Sequence, residues 1–180
     1  AGTQGVGMIV QETGTAPEIT VAENMFLCAA NTFGCFKRKD GSRWGFVNGK
    51  KMLEAAQKAL DEIGADHINA AAMTNTLDMQ DRKLVEVAKV WMQNPEIIVV
   101  DETTTALSQK GREIIYDLMN RMRKSNRSVV FISHDLEEIM EVCDTLTVLR
   151  DGKIIRTFEK EEFEPRAIRA SMIGRELQGD

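Results

Sequence analysis

The chain has 180 residues, 28 acidic against 23 basic side chains, a net charge of −5 and a 43% hydrophobic fraction. This is the mix of one ordinary soluble domain with room for a core, and its acidic balance, with no RNA- or DNA-reading motif, argues against a nucleic-acid binder. No apolar run approaches the ~20 residues that span a bilayer. The N-terminus lacks the charged segment and apolar stretch of a signal peptide, so any membrane role is expected to run through a partner. Cys28, Cys35 and Cys143 form no CxxC pair and are expected as free thiols in a reducing cytoplasm. His67 and His134 lie at no ligand spacing from a cysteine, so no zinc site is expected.

Gly5-Val6-Gly7-Met8-Ile9-Val10 reads as a short buried strand whose glycines imply tight packing or an incoming turn. A turn-rich break at residues 12–17 follows. Thr20, with Glu23 three residues on, predicts a capping box opening a helix with Val21, Met25 and Phe26. Residues 31–50, with Gly34, Gly41, Gly45, Gly49 and the basic run Lys37-Arg38-Lys39, read as a surface loop. Leu53, Ala56, Leu60 and Ile63 predict an amphipathic helix stopped by Gly64. Leu84, Val87, Ala88 and Trp91 predict a helix over about 80–93, ended by Pro95. Ile97 to Val100 is a continuous β-branched run, the mark of a strand buried on both faces. A helix at 108–124, a buried strand at 129–132, a helix from Leu136 to Cys143 and a strand at Leu146–Leu149 follow. Asp151-Gly152 predicts a two-residue hairpin turn into Ile154 and Ile155. Residues 161–177 read as helix. Strands alternating with helices argue for an α/β fold with a largely parallel sheet, and residues 14–93 look like a helical insertion after the first strand.

Asp101 and Glu102 close an apolar strand, which puts them at its carboxyl end, where open α/β sheets bind ligands. The first acid can hold a hydrated Mg²⁺ and the second can polarise an attacking water; a strand that simply ends in solvated acids remains the alternative. His134 also ends an apolar strand and can bond a γ-phosphate or a water, although a lone histidine there is commonly a surface or capping residue. Gln11, after the first strand, can reach the metal or the water but carries no weight alone.

Taken in order, these pieces resemble the ATPase subunits of ATP-binding cassette transporters. Residues Gly7 to Glu12 resemble their glutamine loop, Ile97 to Glu102 the Walker B motif with its catalytic glutamate, Thr105-Ala106-Leu107-Ser108 the loop that crosses the dimer interface, and His134 the switch histidine. Leu84-Val85-Glu86-Val87-Ala88-Lys89 and Met172 to Leu177 are most similar to importers of ribose, galactosides and other simple sugars, whose ATPase carries two cassettes; the closing Gly-Arg-Glu-Leu resembles the end of the first. The resemblance implies a P-loop-type core (1–13 and 94–160), a helical subdomain (14–93) and a helical tail (161–180). It implies Glu102, His134 and Gln11 as catalytic residues, and Asp101 with Gln11 as metal ligands. Leu77, Asp78, Met79, Gln80, Asp81, Ala106, Leu107 and Ser108 would contact nucleotide. ATP and Mg²⁺, a second cassette and permease subunits are the implied cofactors and partners, at the cytoplasmic face of the membrane and without direct insertion. Loop 12–36 would face the permease.

Three departures from that pattern matter. No G-x-x-x-x-G-K-[ST] is present; Gly45 to Lys51 has one spacer too few and Lys51 where Ser or Thr belongs, and it is expected to follow a loop. The chain is thus expected to be a fragment lacking Walker A, with little to cradle a triphosphate and inactive alone. The signature Leu-Ser-Gly-Gly-Gln is replaced by Leu77-Asp78-Met79-Gln80-Asp81, placing carboxylates beside a polyanion at a cost of roughly 1 kcal/mol each in water at about 4 Å, more at lower dielectric. Thr103 stands where proline is usual. In the family the phosphate-loop strand lies between the histidine strand and the last strand. Its loss is expected to keep the first three strands together and to make the sheet close up or recruit a second chain. Two other functions compete: a degenerate coupling module without turnover, and a cassette ATPase outside transport, which the acidic balance and the C-terminus disfavour.

Overall fold

The computed structural model describes residues 5–11, 14–27, 34–37 and 43–174, with backbone alone for 34–37 and 43–47. Expectations on Glu12, Cys28, residues 38–42 and Arg175 to Leu177 lie outside them. The chain divides into two units, 1–132 and 133–180.

The first unit is built on a parallel sheet of β1 (Val6–Ile9), β4 (Ile97–Asp101) and β5 (Ser128–Ile132), ordered β1-β4-β5. The first three strands stay together as expected. The sheet does not close up: among the described residues it ends at β5, and pairing with a second chain stays an expectation. The strands are also not buried on both faces. One face, with Gly7, Ile9, Ile98 and Val100, is covered by helices α3 (Met79–Met92) and α4 (Gln109–Lys124). On the other, Met8, Ile97, Val130 and Ile132 are 38–51% exposed. An apolar run therefore marks a strand but does not establish that both of its faces are covered.

Gly7 is in the strand because nothing larger fits: a Cβ there would stand 2.5 Å from Val90 Cγ1 of α3. Helix α1 (Val21–Phe26) carries the expected capping box, with Glu23 N–H donating to Thr20 Oγ1 and Thr20 N–H donating to the Glu23 carboxylate. Helix α2 (Gly49–Glu62) is capped by Asn48 and followed by Gly64 at φ +83. Its buried line is Ala56, Leu60 and Ile63, while Leu53 is exposed. Between α1 and α2 the loop reading is overturned: β2 (Gly34–Lys37) and β3 (Arg43–Val47) form an antiparallel pair. Phe, Trp and Val favour extended chain and outweigh the glycines that read as breakers. The Gly45–Lys51 decoy thus begins inside β3, to which Gly45, Phe46 and Val47 belong, and leaves no loop to wrap a phosphate.

The second unit holds α5 (Leu136–Val142), the antiparallel pair β6 (Thr145–Arg150) and β7 (Lys153–Glu159), and α6 (Pro165–Ile173). Its core is Leu136, Leu146, Val148, Phe158 and Ile168. The predicted turn is present, with Asp151 and Gly152 both at positive φ (51° and 74°), the requirement of a type I′ hairpin. Helix α6 is shorter than expected. Glu164 caps it, Pro165 starts it and Gly174 ends it in the left-handed region.

Candidate functional site

Register brings three of the predicted residues to one end of the sheet. Ile9 pairs with Val100 and Asp101 with Ile132, so Gln11, Asp101 and Glu102 leave neighbouring strands at the same level. Gln11 is exposed and the two acids are half-buried. Glu102 adopts φ 44°, ψ 24°, the left-handed region, a sparsely populated state for a non-glycine residue that tends to mark functional sites. Its N–H donates to the Ile132 carbonyl at 3.0 Å, holding the turn against β5. His134 belongs to the second unit, where it is exposed and directly precedes Asp135, the N-cap of α5.

Thr103, in the proline position, is fully buried. Its hydroxyl donates to the Asp101 carbonyl at 3.1 Å and lies 3.4 Å from the Ile9 carbonyl. A proline has no hydroxyl to bridge the ends of β1 and β4; threonine here does so.

The signature-like segment forms the start of α3. Asp78 is the N-cap, its carboxylate accepting from Asp81 N–H at 2.7 Å. Asp81 lies 2.9 Å from His67 Nε2, and Gln80 Oε1 accepts from Ser108 N–H at 2.8 Å. Leu77 is partly buried against the core and Met79 is exposed. Ala106 closes a 3-10 turn over Thr103–Ala106, Leu107 is buried, and Ser108 caps α4. Gln80 therefore joins the two interface-type segments, 77–81 and 106–108, within one chain. A second link was not legible: Lys83, one turn into α3, is buried and donates to the Val10 carbonyl beside Gln11 at 2.6 Å. Lys83 shares a stripe with Val87 and Val90, four and seven residues on, and that was the available signal.

Chemically, the sheet end offers hard oxygen donors, the Asp101 carboxylate and the Gln11 amide oxygen. Mg²⁺ accepts such sites, binding through one or two carboxylates and keeping phosphate and water for its other positions. The donor set fits that metal. Among the described residues no cluster of three His, Cys, Asp or Glu forms an all-protein metal cage.

Residues 2–105, more than half of the chain, match the family described as ABC transporter. The chain belongs to the ABC transporter family. It is 34% identical over 175 residues to a ribose import ATP-binding protein, RbsA, of Bacillus cereus, covering 96% of this chain and 33% of that one. It is 37% identical over 174 residues to an arabinose import ATP-binding protein, AraG, of Rhizobium johnstonii, covering 96% and 32%. The chain thus spans about one third of the length of the curated relatives it matches. Among solved structures, the ADP conformation of an ATP-binding cassette of an ABC transporter superposes with a TM-score of 0.68 at 22% identity, over 97% of this chain and 70% of that one. An inward-facing metal-chelate-type ABC transporter gives 0.71 at 17%, over 94% and 64%. The α/β fold of the ABC ATPase cassette follows from these superpositions. No helix among the described residues is long and apolar enough to cross a membrane.

Proposed function

We propose that this chain is part of a cassette that hydrolyses ATP to drive sugar import through an ABC transporter. The observation that carries the reading is the meeting of Gln11, Asp101 and Glu102 at the carboxyl end of β1 and β4, in a chain whose relatives are named for ribose and arabinose import. In this reading Asp101 and Gln11 hold Mg²⁺, which neutralises phosphate charge when bound. Glu102 polarises the attacking water and His134 bonds the γ-phosphate. Residues 1–13 and 94–160 serve as the core of one cassette, 14–93 as its subdomain facing the permease, and 161–180 as its tail. The partners are a second cassette and permease subunits at the cytoplasmic face of the membrane. The 180 residues contain no G-x-x-x-x-G-K-[ST], so the chain alone is expected neither to bind ATP at micromolar concentration nor to hydrolyse it.

One observation favours a second reading, a degenerate, non-catalytic cassette that dimerises and couples motion without turning over ATP. Asp78, Gln80 and Asp81 are engaged with Asp81 N–H, Ser108 and His67 inside the chain, and two of them bring negative charge. The transporter that contains this chain separates the readings. Glu102→Gln is expected to lower its ATPase rate at least about 100-fold while nucleotide still binds. An unchanged rate removes Glu102 from catalysis and leaves the coupling reading. Calorimetric titration of the 180-residue chain with ATP tests the expectation of no binding; a micromolar Kd refutes it.

A further inference from the structure

Lys83 has an environment that the proposed function does not explain. Lysine on an amphipathic helix belongs on the solvent face, yet Lys83 is 1% exposed. A buried ammonium is costly unless it is both paired and hydrogen-bonded, and here it is both. Its Nζ donates to Glu86 Oε2 at 2.7 Å and to the Val10 carbonyl at 2.6 Å. Glu86 spans the gap with its other oxygen, Oε1, which accepts from the Gly14 N–H. One ion pair on α3 therefore grips the chain at residue 10 and again at residue 14, on either side of Gln11. The neighbouring residues of the same helix carry Gln80 and its bond to Ser108.

We propose that Lys83 and Glu86 form a latch on α3 that positions the loop carrying Gln11. The role assigned to Gln11 rests on the function proposed above; the latch itself does not. A hydrophobic residue at 83 would fill the same space and keep the helix, but it would release the Val10 carbonyl and leave Glu86 without its counter-charge. The loop would then lose its grip at Val10, and the carboxylate that holds Gly14 would lose the partner that fixes it. The start of α3 is the segment that would meet a nucleotide held by an opposing cassette, and about five residues of helix, near 7.5 Å at 1.5 Å per residue, separate Asp78 from Lys83. A shift of α3 is thereby passed to Gln11 through two side chains. Lys83 and Glu86 are positioning residues and touch no reacting atom.

The test uses Lys83→Met in two settings. In the 180-residue chain, amide exchange followed by NMR is expected to show Gly14 exchanging on the order of tenfold faster, with the amides of Val87, Ala88 and Val90 unchanged. Unaltered Gly14 exchange overturns the latch. If Lys83→Met lowers protection throughout, Lys83→Gln, which keeps a donor for Val10, replaces it under the same criterion: faster Gly14 exchange relative to residues 87–90 supports the latch, and an equal ratio overturns it. In the intact transporter, Lys83→Met is expected to lower kcat for ATP about tenfold with KM within about threefold. Faster Gly14 exchange with unchanged kcat overturns the positioning role. A wild-type transporter without ATPase activity would sink the proposed function instead, and Gly14 exchange would then decide for or against the latch by itself.

Discussion

Gly7 shows how closely β1 meets α3. A methyl group there would reach 2.5 Å from Val90 Cγ1 and 3.3 Å from Pro95 Cγ. Valine is stiff at χ1 and Pro95 is fixed, so neither can give way freely. Gly7→Ala is expected to destabilise the chain by about 1–3 kcal/mol in urea denaturation. Gly7→Ala with Val90→Ala should recover part of that, because the new methyl fills the space the valine vacates; full stability of the single variant would show that the contact yields without cost. The signature residues separate by the same kind of reasoning. Asp78→Ser keeps an N-cap oxygen, since serine and aspartate cap almost equally well, and it removes a charge from the position proposed to face phosphate. Its expected stability change is within about 0.5 kcal/mol, and ATPase activity in the intact transporter should rise. Gln80→Gly gives up the bond to Ser108 N–H and puts glycine in the first turn of α3, so it is expected to cost about 1–2 kcal/mol. Restoring the signature therefore carries a structural cost at residue 80 that it does not carry at residue 78. An unchanged ATPase rate in Asp78→Ser would count against electrostatic impairment of that site.

Among the elements, α1 depends most on its cap, because six residues make too short a helix to stand on propensity alone. Thr20→Ala is expected to cost about 1 kcal/mol. The Glu23 carboxylate accepts from the Thr20 backbone N–H and from its hydroxyl, and these bonds hold its pKa below the ordinary value. A depressed acid stabilises fully above its unfolded pKa, about 4.3, and loses that contribution as pH falls through the folded value. Wild-type unfolding free energy should therefore drop between about pH 5 and pH 3 more steeply than that of Glu23→Gln, which has no carboxylate to titrate. Identical acid limbs would rule the capping box out as their source. This box was legible because both partners are local in sequence, as were Asp151-Gly152 and the strand ending in Asp101-Glu102. What depends on distant chain was not. Val130 and Ile132 read as buried, but burial needs a second layer and apolar side chains cannot report whether one is present. Only the stripe that Lys83 shares with Val87 and Val90 hints at its burial, and its acceptor on Val10 lies 73 residues away. The β2–β3 pair was hidden by glycines that mark turns in one context and tolerate strand in another.

For the whole molecule, the consequential feature is the half-covered sheet. Met8, Ile97, Val130 and Ile132 lie on one face, 38–51% exposed, and β5 is paired on one side only among the described residues. An apolar face beside an open strand edge is a template for association. The isolated chain is therefore expected to self-associate at tens of micromolar and to bind a hydrophobic dye such as ANS. Val130→Lys with Ile132→Lys places two charges on that face at positions already near half exposure, where substitutions usually move stability by no more than about 0.5 kcal/mol. The double variant should sediment as a monomer and lose at least half of the dye signal, with an unfolding midpoint close to the parent's. If association came instead from general instability, the lysines would leave it unchanged or worsen it, because they stabilise nothing in the native fold. A parent chain that is monomeric and dye-negative at every concentration would show that this face is satisfied within a single molecule.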